Sequence, residues 1–120
     1  MKESKITIDL YGCEIILLYG TYDDIYTQFL ETYPSVIDEL DDPFICKYWI
    51  INAGGVVTRY FIVTDKYDIG NIYHDALHVA NDILDVIGFK FHYGNDEPQA
   101  YLMEHIGTSV LRELKTMNDG

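Results

Sequence analysis

One stretch of the chain, residues 68–88, decides the fold and reads DIGNIYHDALHVANDILDVIG. Apolar residues recur here three and four positions apart, which places them in one stripe along a helix of about 3.6 residues per turn. Gly88 follows the last apolar residue, where a glycine commonly ends a helix. The pattern therefore predicts a helix that buries one face, formed by Ile69, Ile72, Tyr73, Ala76, Ala80, Ile83, Leu84 and Ile87.

Two histidines lie on the opposite, polar face of this predicted helix. His74 and His78 are one turn apart, so their side chains project side by side. Two imidazoles in this arrangement can hold one tetrahedral metal ion. For such a pair taken alone, the alternative is two solvated side chains without a ligand. The metal interpretation therefore needs a further ligand from elsewhere in the chain.

A second helical pattern near the end of the chain supplies a candidate ligand. It begins near Glu97 and Pro98, because proline is accepted in a first turn, and continues through Ala100, Met103, Val110, Leu111 and Leu114. The connection over residues 88–95 is short, so the two helices can fold against each other and bring Glu97 toward the imidazoles. Two histidines and one glutamate leave a coordination position of zinc open, as in hydrolytic sites. For Glu97 alone, the alternative is a carboxylate that stabilises the helix start.

The first half of the chain carries strand patterns. An apolar–polar alternation over residues 6–10 and an apolar run over 14–19 flank a turn and indicate a β-hairpin. Residues 44–51 and 56–64 are rich in aromatic and β-branched residues and indicate a second hairpin. Between the hairpins, apolar residues at helical spacing over 25–33 predict a short helix.

These patterns together predict a single α+β domain over residues 1–120. We expect a small antiparallel or mixed sheet of about four strands, followed by two C-terminal helices. One domain is expected because a chain of 120 residues can bury one compact core but has little room for a second.

Charge and cysteine content limit the partners and the compartment. Twenty acidic residues against eight basic residues give a net charge of −12, which disfavours nucleic acid and anionic lipid because like charges repel. No apolar run is long enough to suggest a membrane span. Cys13 and Cys46 are too few for a disulfide framework, so we expect two reduced thiols and a cytoplasmic location.

The densest acidic patch, residues 38–42 (DELDD), has two interpretations. It could imitate a phosphate backbone and capture a basic nucleic-acid-binding protein. The alternative is a solvated loop, since short acidic runs are usually part of the surface. With nucleic acid and membranes disfavoured by charge, the expected partner is a peptide or a protein.

Residues 74–78 (HDALH), followed by 95–101 (NDEPQAY), resemble the gluzincin pattern H-E-x-x-H with a helix-borne glutamate about twenty residues later. Nearly the whole chain is also similar to small uncharacterised bacteriophage proteins that carry such a motif after a short sheet. The resemblance implies a minimal zincin-like fold, with His74, His78 and Glu97 as ligands of Zn²⁺. For a phage-encoded protein, it implies the cytoplasm of a bacterial host.

The resemblance also implies roles for residues around the metal. Asp82, one turn after His78, would be a carboxylate that orients an imidazole. Tyr101 or His105 would polarise a substrate carbonyl, or would pack against the first helix. Asp75 occupies the position of the general-base glutamate of the family.

Asp75 is shorter than glutamate by one methylene, and a retreat of the carboxylate by about 1 Å can lower the rate about a hundredfold.

Three functions remain open on this basis. The first is a zinc metallopeptidase in which Asp75 is a weak base and an extended peptide adds to an edge strand. The second is an inactive zincin-like protein whose acidic surface binds and blocks a basic host protein. The third is a structural protein in which the metal only joins two helices.

Overall fold

The computed structural model describes residues 1–33, 44–89, 94 and 96–119. Within these ranges the chain forms the strands β1 (Lys2–Ile8), β2 (Cys13–Gly20), β3 (Cys46–Ala53) and β4 (Val56–Thr64). The helices are α1 (Tyr22–Thr32), α2 (Ile69–Val86) and α3 (Glu97–Asp119). The predicted α+β fold is confirmed, because a four-stranded mixed sheet precedes two C-terminal helices.

The strands of the sheet lie in the order β1-β2-β4-β3. β1 pairs with β2 and β3 pairs with β4 in antiparallel hairpins, whereas β2 and β4 are parallel. A parallel pair needs a crossover connection, and the chain between β2 and β4, which includes α1 and β3, provides it. β1 and β3 therefore form the two opposite edges of the described sheet.

The hairpin between β3 and β4 turns at two glycines. Gly54 and Gly55 have φ values of 62° and 84°, in the left-handed region that residues with a Cβ avoid. Two consecutive positive φ values are typical of the tight turn that matches the twist of paired strands. The turn keeps Ala53 opposite Val56 and so sets the register of β3.

Local hydrogen bonds define the start of α2. The Asp68 carboxylate accepts a hydrogen bond from the Asn71 backbone N–H at 2.8 Å, and the Asn71 side chain accepts one from the Asp68 N–H at 3.0 Å. This reciprocal capping satisfies donors that a helix start leaves open. Gly88, with φ of 81°, follows the last turn, as expected from the sequence.

The predicted apolar stripe of α2 is largely buried, with differences at its ends. Ile69 and Ile87 are exposed by 62% and 53%, so their assignment to the buried face was wrong. Both lie at the ends of the helix, where contact with the sheet is lost. Val79 is fully buried although the stripe omitted it. The buried residues of α2 are Ile72, Ala76, Val79, Ala80, Ile83 and Leu84.

The sheet separates two apolar clusters. One face packs against α2 and α3, and its buried sheet residues include Ile15, Leu17 and Phe61. The other face packs against α1, where Ile25 meets Leu18. The two faces follow from the alternation of side chains along each strand. This arrangement makes α2 and α3 one layer and leaves their outer faces to solvent.

Helices α2 and α3 approach closely at Gly107. A Cβ built at Gly107 would lie 2.4 Å from Cε1 of Tyr73, so a side chain at this position would have to displace that ring. The Tyr73 hydroxyl lies 3.3 Å from Oγ1 of Thr108. This contact sets the separation of the two helices midway along α3.

The acidic patch at residues 38–42 lies outside the described residues. Cys13 is buried and Cys46 is half-buried, and both are free thiols. None of the described helices combines the length and apolar character that a membrane span requires.

Candidate metal centre

The outer face of α2 brings His74 and His78 together, as predicted. Their Nε2 atoms are 3.3 Å apart, a distance at which one imidazole can also donate a hydrogen bond to the other, and the ring centroids are 5.0 Å apart with planes at 76°. Zinc–nitrogen bonds of about 2.0–2.1 Å in a tetrahedron place two ligand nitrogens about 3.3–3.4 Å apart. The imidazoles therefore already have the separation of two adjacent ligands of one zinc ion, and both side chains are exposed to an incoming ion.

Asp75 joins the two histidines in a group of potential ligands. One ligand atom from each of His74, Asp75 and His78 lies within 4.8 Å of the others. Burial raises the pKa of the Asp75 carboxyl, while the nearby Cys46 thiol, the imidazoles and Lys47 act to lower it. Asp75 thus points inward, toward the edge strand, and carries a higher proton affinity than an exposed aspartate.

Cys46 on β3 is the neighbour of Asp75 that the sequence interpretation missed. Burial raises the pKa of its thiol, and the negative charge of Asp75 raises it further, so the thiol keeps its proton. The sequence contained a usable signal, because Cys46 and Tyr48 alternate with exposed or oppositely facing residues in β3 and share one face. The sequence pattern does not show that this face of β3 packs against α2.

Asp82 does not take the place that the family resemblance implied. Its Oδ2 accepts hydrogen bonds from the Tyr48 hydroxyl at 2.7 Å and from Nε of Arg59 at 3.0 Å, and these are its observed partners rather than His78. Burial and the contact with Asp82 raise the pKa of Tyr48. Asp82 therefore ties α2 to β3 and β4, two turns beyond Asp75, and helps to hold the histidine face outward.

Glu97 begins α3 and is exposed. It does not belong to the close group formed by the two histidines and Asp75 within the described part of the chain. The side-chain amide of Gln99 donates a hydrogen bond to the side-chain oxygen of Asn81, three residues after His78. This bond holds the first turn of α3 beside α2, while Glu97, two residues before Gln99, lies on a different face of α3.

Tyr101 and His105 lie in a different place from the histidine pair. They line a hollow together with Thr7 and Asp9 at the end of β1. β1 and β3 are opposite edges of the sheet, separated by three strand spacings or about 14 Å. Since Asp75 lies beside β3, the carbonyl-polarising role predicted for Tyr101 and His105 gains no support from their placement.

Comparisons with known proteins add no family assignment. A scan against protein-family models, a search of curated proteins and a search of solved structures each returned no match for this chain. The site is therefore characterised by its own geometry.

Proposed function

We propose that this chain binds one divalent transition-metal ion, zinc above others, through His74 and His78. The observation that carries the proposal is the 3.3 Å separation of their Nε2 atoms, which matches the ligand spacing of tetrahedral zinc. Exposed imidazoles with a carboxylate nearby suit zinc better than magnesium or calcium, which prefer oxygen ligands.

We propose Glu97 as the third ligand and Asp75 as the proton acceptor beside the ion. The role of Glu97 rests on the resemblance to the gluzincin pattern, in which a helix-borne glutamate about twenty residues after the second histidine is a ligand. The position of Asp75 supports its role, because one of its carboxylate oxygens lies within 4.8 Å of a ligand nitrogen of each histidine. A second arrangement, with Asp75 as the third ligand, is favoured by its place in the close group.

The reaction we propose is hydrolysis of a peptide bond. A zinc ion at this position would supply Lewis acidity and a water of lowered pKa. Among the described strands, β3 pairs only with β4, and its other edge is the place where an extended peptide could add. Cys46 of β3 neighbours Asp75, so a peptide on that edge would pass the histidine group. Because aspartate is shorter than glutamate, we expect slow turnover.

The second candidate function is an inactive zincin-like protein that binds a basic host protein. The net charge of −12 and the short side chain at position 75 favour it. Charge reversals within residues 38–42 should abolish such binding, whereas His78→Ala should abolish only a metal-dependent activity. For either function we propose a cytoplasmic location, supported by the two free thiols.

The metal content of protein purified without chelator tests the proposal. We expect about one zinc ion per chain by elemental analysis and a rise in thermal stability on zinc addition, because ligation favours the folded state. His74→Ala and His78→Ala should each lose the ion, and His105→Ala, which removes a histidine beside β1, should retain it. Zinc content that is equal in all four proteins would eliminate the proposed site.

The same assay separates the two candidate third ligands. If Glu97 is a ligand, Glu97→Gln should weaken zinc binding by about ten- to a hundredfold, and Asp75→Asn should leave affinity nearly unchanged. The reverse result would assign the third position to Asp75.

A further inference from the structure

The hollow that Tyr101 and His105 line lies between α3 and the C-terminal end of β1. It measures about 280 Å³, and the buried side chains of Ile8 and Leu102 line its interior. Two tyrosines, Tyr11 and Tyr101, also line it. Tyr101 is 72% exposed, a large aromatic surface left in water on an otherwise polar helix face. Exposed aromatic surface beside a pocket is typical of recognition sites.

The rim of this hollow is acidic. Asp9 lines it directly, and Glu104 lines a shallower hollow that shares Tyr101 and His105 with it. Neither lysine nor arginine is found among the described residues that line the two hollows. Asp9 and Glu104 are therefore the carboxylates among the lining residues, beside His105, which lines both hollows.

The apolar interior and the acidic rim together favour a ligand that carries a positive charge on an apolar stem. An anion would be repelled by Asp9 and Glu104, and a wholly apolar group would strip water from Asp9 without replacing its hydrogen bonds. A cation on an apolar stem meets both demands, because the stem packs on the apolar interior and the charged head pairs with a carboxylate and with aromatic faces. Arginine fits best, since its planar guanidinium both stacks on tyrosine and donates to carboxylate.

The size of the hollow agrees with a single side chain. At about 280 Å³, the hollow lies near the lower end of the range for small-molecule pockets and has room for one arginine side chain. Interfaces often place one arginine or aromatic side chain in such a pocket as an anchor.

We propose that the hollow between α3 and β1 binds an arginine side chain of a basic protein partner, with Tyr101 stacking on the guanidinium and Asp9 pairing with it. The hollow lies apart from His74 and His78, because it borders β1 whereas the neighbouring Asp75 lies beside β3. Glu97, one turn before Tyr101, is the proposed ligand that lies nearest to it along α3. The partner is recognised through its positive charge, and the acidic surface of the chain speeds the encounter.

The probe for a test is N-acetyl-L-arginine N-methylamide, titrated into ¹⁵N-labelled full-length protein at low salt and followed by amide chemical shifts. We expect saturable shifts confined to the hollow, including the amides of Asp9, Tyr101 and His105. The matched probe is the citrulline analogue, which has nearly the same shape without the charge. Its affinity should be at least about fivefold weaker.

Variants locate the binding on the surface. Tyr101→Ala and Asp9→Asn should each weaken the arginine probe by about fivefold or more, because one removes the aromatic face and the other the carboxylate. The matched controls, Tyr26→Ala and Asp23→Asn, alter a tyrosine and an aspartate of α1 on the other face of the sheet and should leave the affinity unchanged. Equal binding of the citrulline analogue would overturn the proposal. So would shifts scattered over the acidic surface that persist in Tyr101→Ala.

Discussion

At the contact between α2 and α3, the substitution Gly107→Ala should have two opposing effects on stability. Gly107→Ala places a methyl group 2.4 Å from Cε1 and 2.5 Å from Cδ1 of Tyr73. Carbon atoms in good contact are about 3.5–4.0 Å apart, so the ring must retreat by about 1 Å or turn away. Overpacking of this kind costs about 1–3 kcal/mol. Replacing glycine by alanine inside a helix contributes about 1 kcal/mol in the other direction.

We therefore expect Gly107→Ala to lower the free energy of unfolding by up to about 2 kcal/mol, because the cost of overpacking is offset in part by helix propensity. For a domain of this size, the loss lowers Tm by up to about 10 °C. The measurement is urea unfolding followed by the fluorescence of Trp49, the single tryptophan, together with far-ultraviolet circular dichroism.

A second background makes the prediction sharper. In Tyr73→Ala the ring is gone, so the same Gly107→Ala change should now raise stability by about 0.5–1 kcal/mol through helix propensity alone. The sign of the effect should reverse between the two backgrounds. Stabilisation by Gly107→Ala in the wild-type background would show that the ring moves at no cost and would refute the reasoning.

Three further predictions concern the residues around the candidate metal centre. Tyr48→Phe removes a hydrogen bond to Asp82 but leaves the one from Arg59. Chemical denaturation should show that the free energy of unfolding falls by about 1 kcal/mol, and an unchanged value would mean that the bond from Tyr48 is not formed. In metal-free protein, Asp75→Asn should raise Tm at neutral pH, because the raised pKa of Asp75 means that its charged form costs stability. The gain should shrink as pH falls toward 3.8, the ordinary pKa of an aspartate, and a gain that grows in acid would contradict the sign. If the protein is a peptidase limited by its short base, Asp75→Glu should increase cleavage of a peptide library, measured by mass spectrometry, without altering zinc content. Cleavage that stays at background in Asp75→Glu, equal to that of His78→Ala, would favour the binding protein over the enzyme.

Local patterns in the sequence were sufficient to predict the helices and strands and to place His74 and His78 side by side. The apolar stripe over residues 68–88 predicted α2, and the stripe alone placed His74 and His78 on its outer face. The pairing of two histidines one turn apart is a property of helix geometry, so it needs no knowledge of the rest of the fold. Alternation and turn residues predicted both hairpins for the same reason, since hairpin partners are neighbours in the chain.

Tertiary structure alone decided which elements surround the histidines. The strand order β1-β2-β4-β3 makes β3 an edge and brings Cys46 beside Asp75, whereas chain order would allow other arrangements. In the same arrangement, Tyr101 and His105 lie beside β1. Asp82 accepts hydrogen bonds from Tyr48 and Arg59. These contacts join residues far apart in the chain, and their choice depends on how whole faces pack, which local periodicity does not encode.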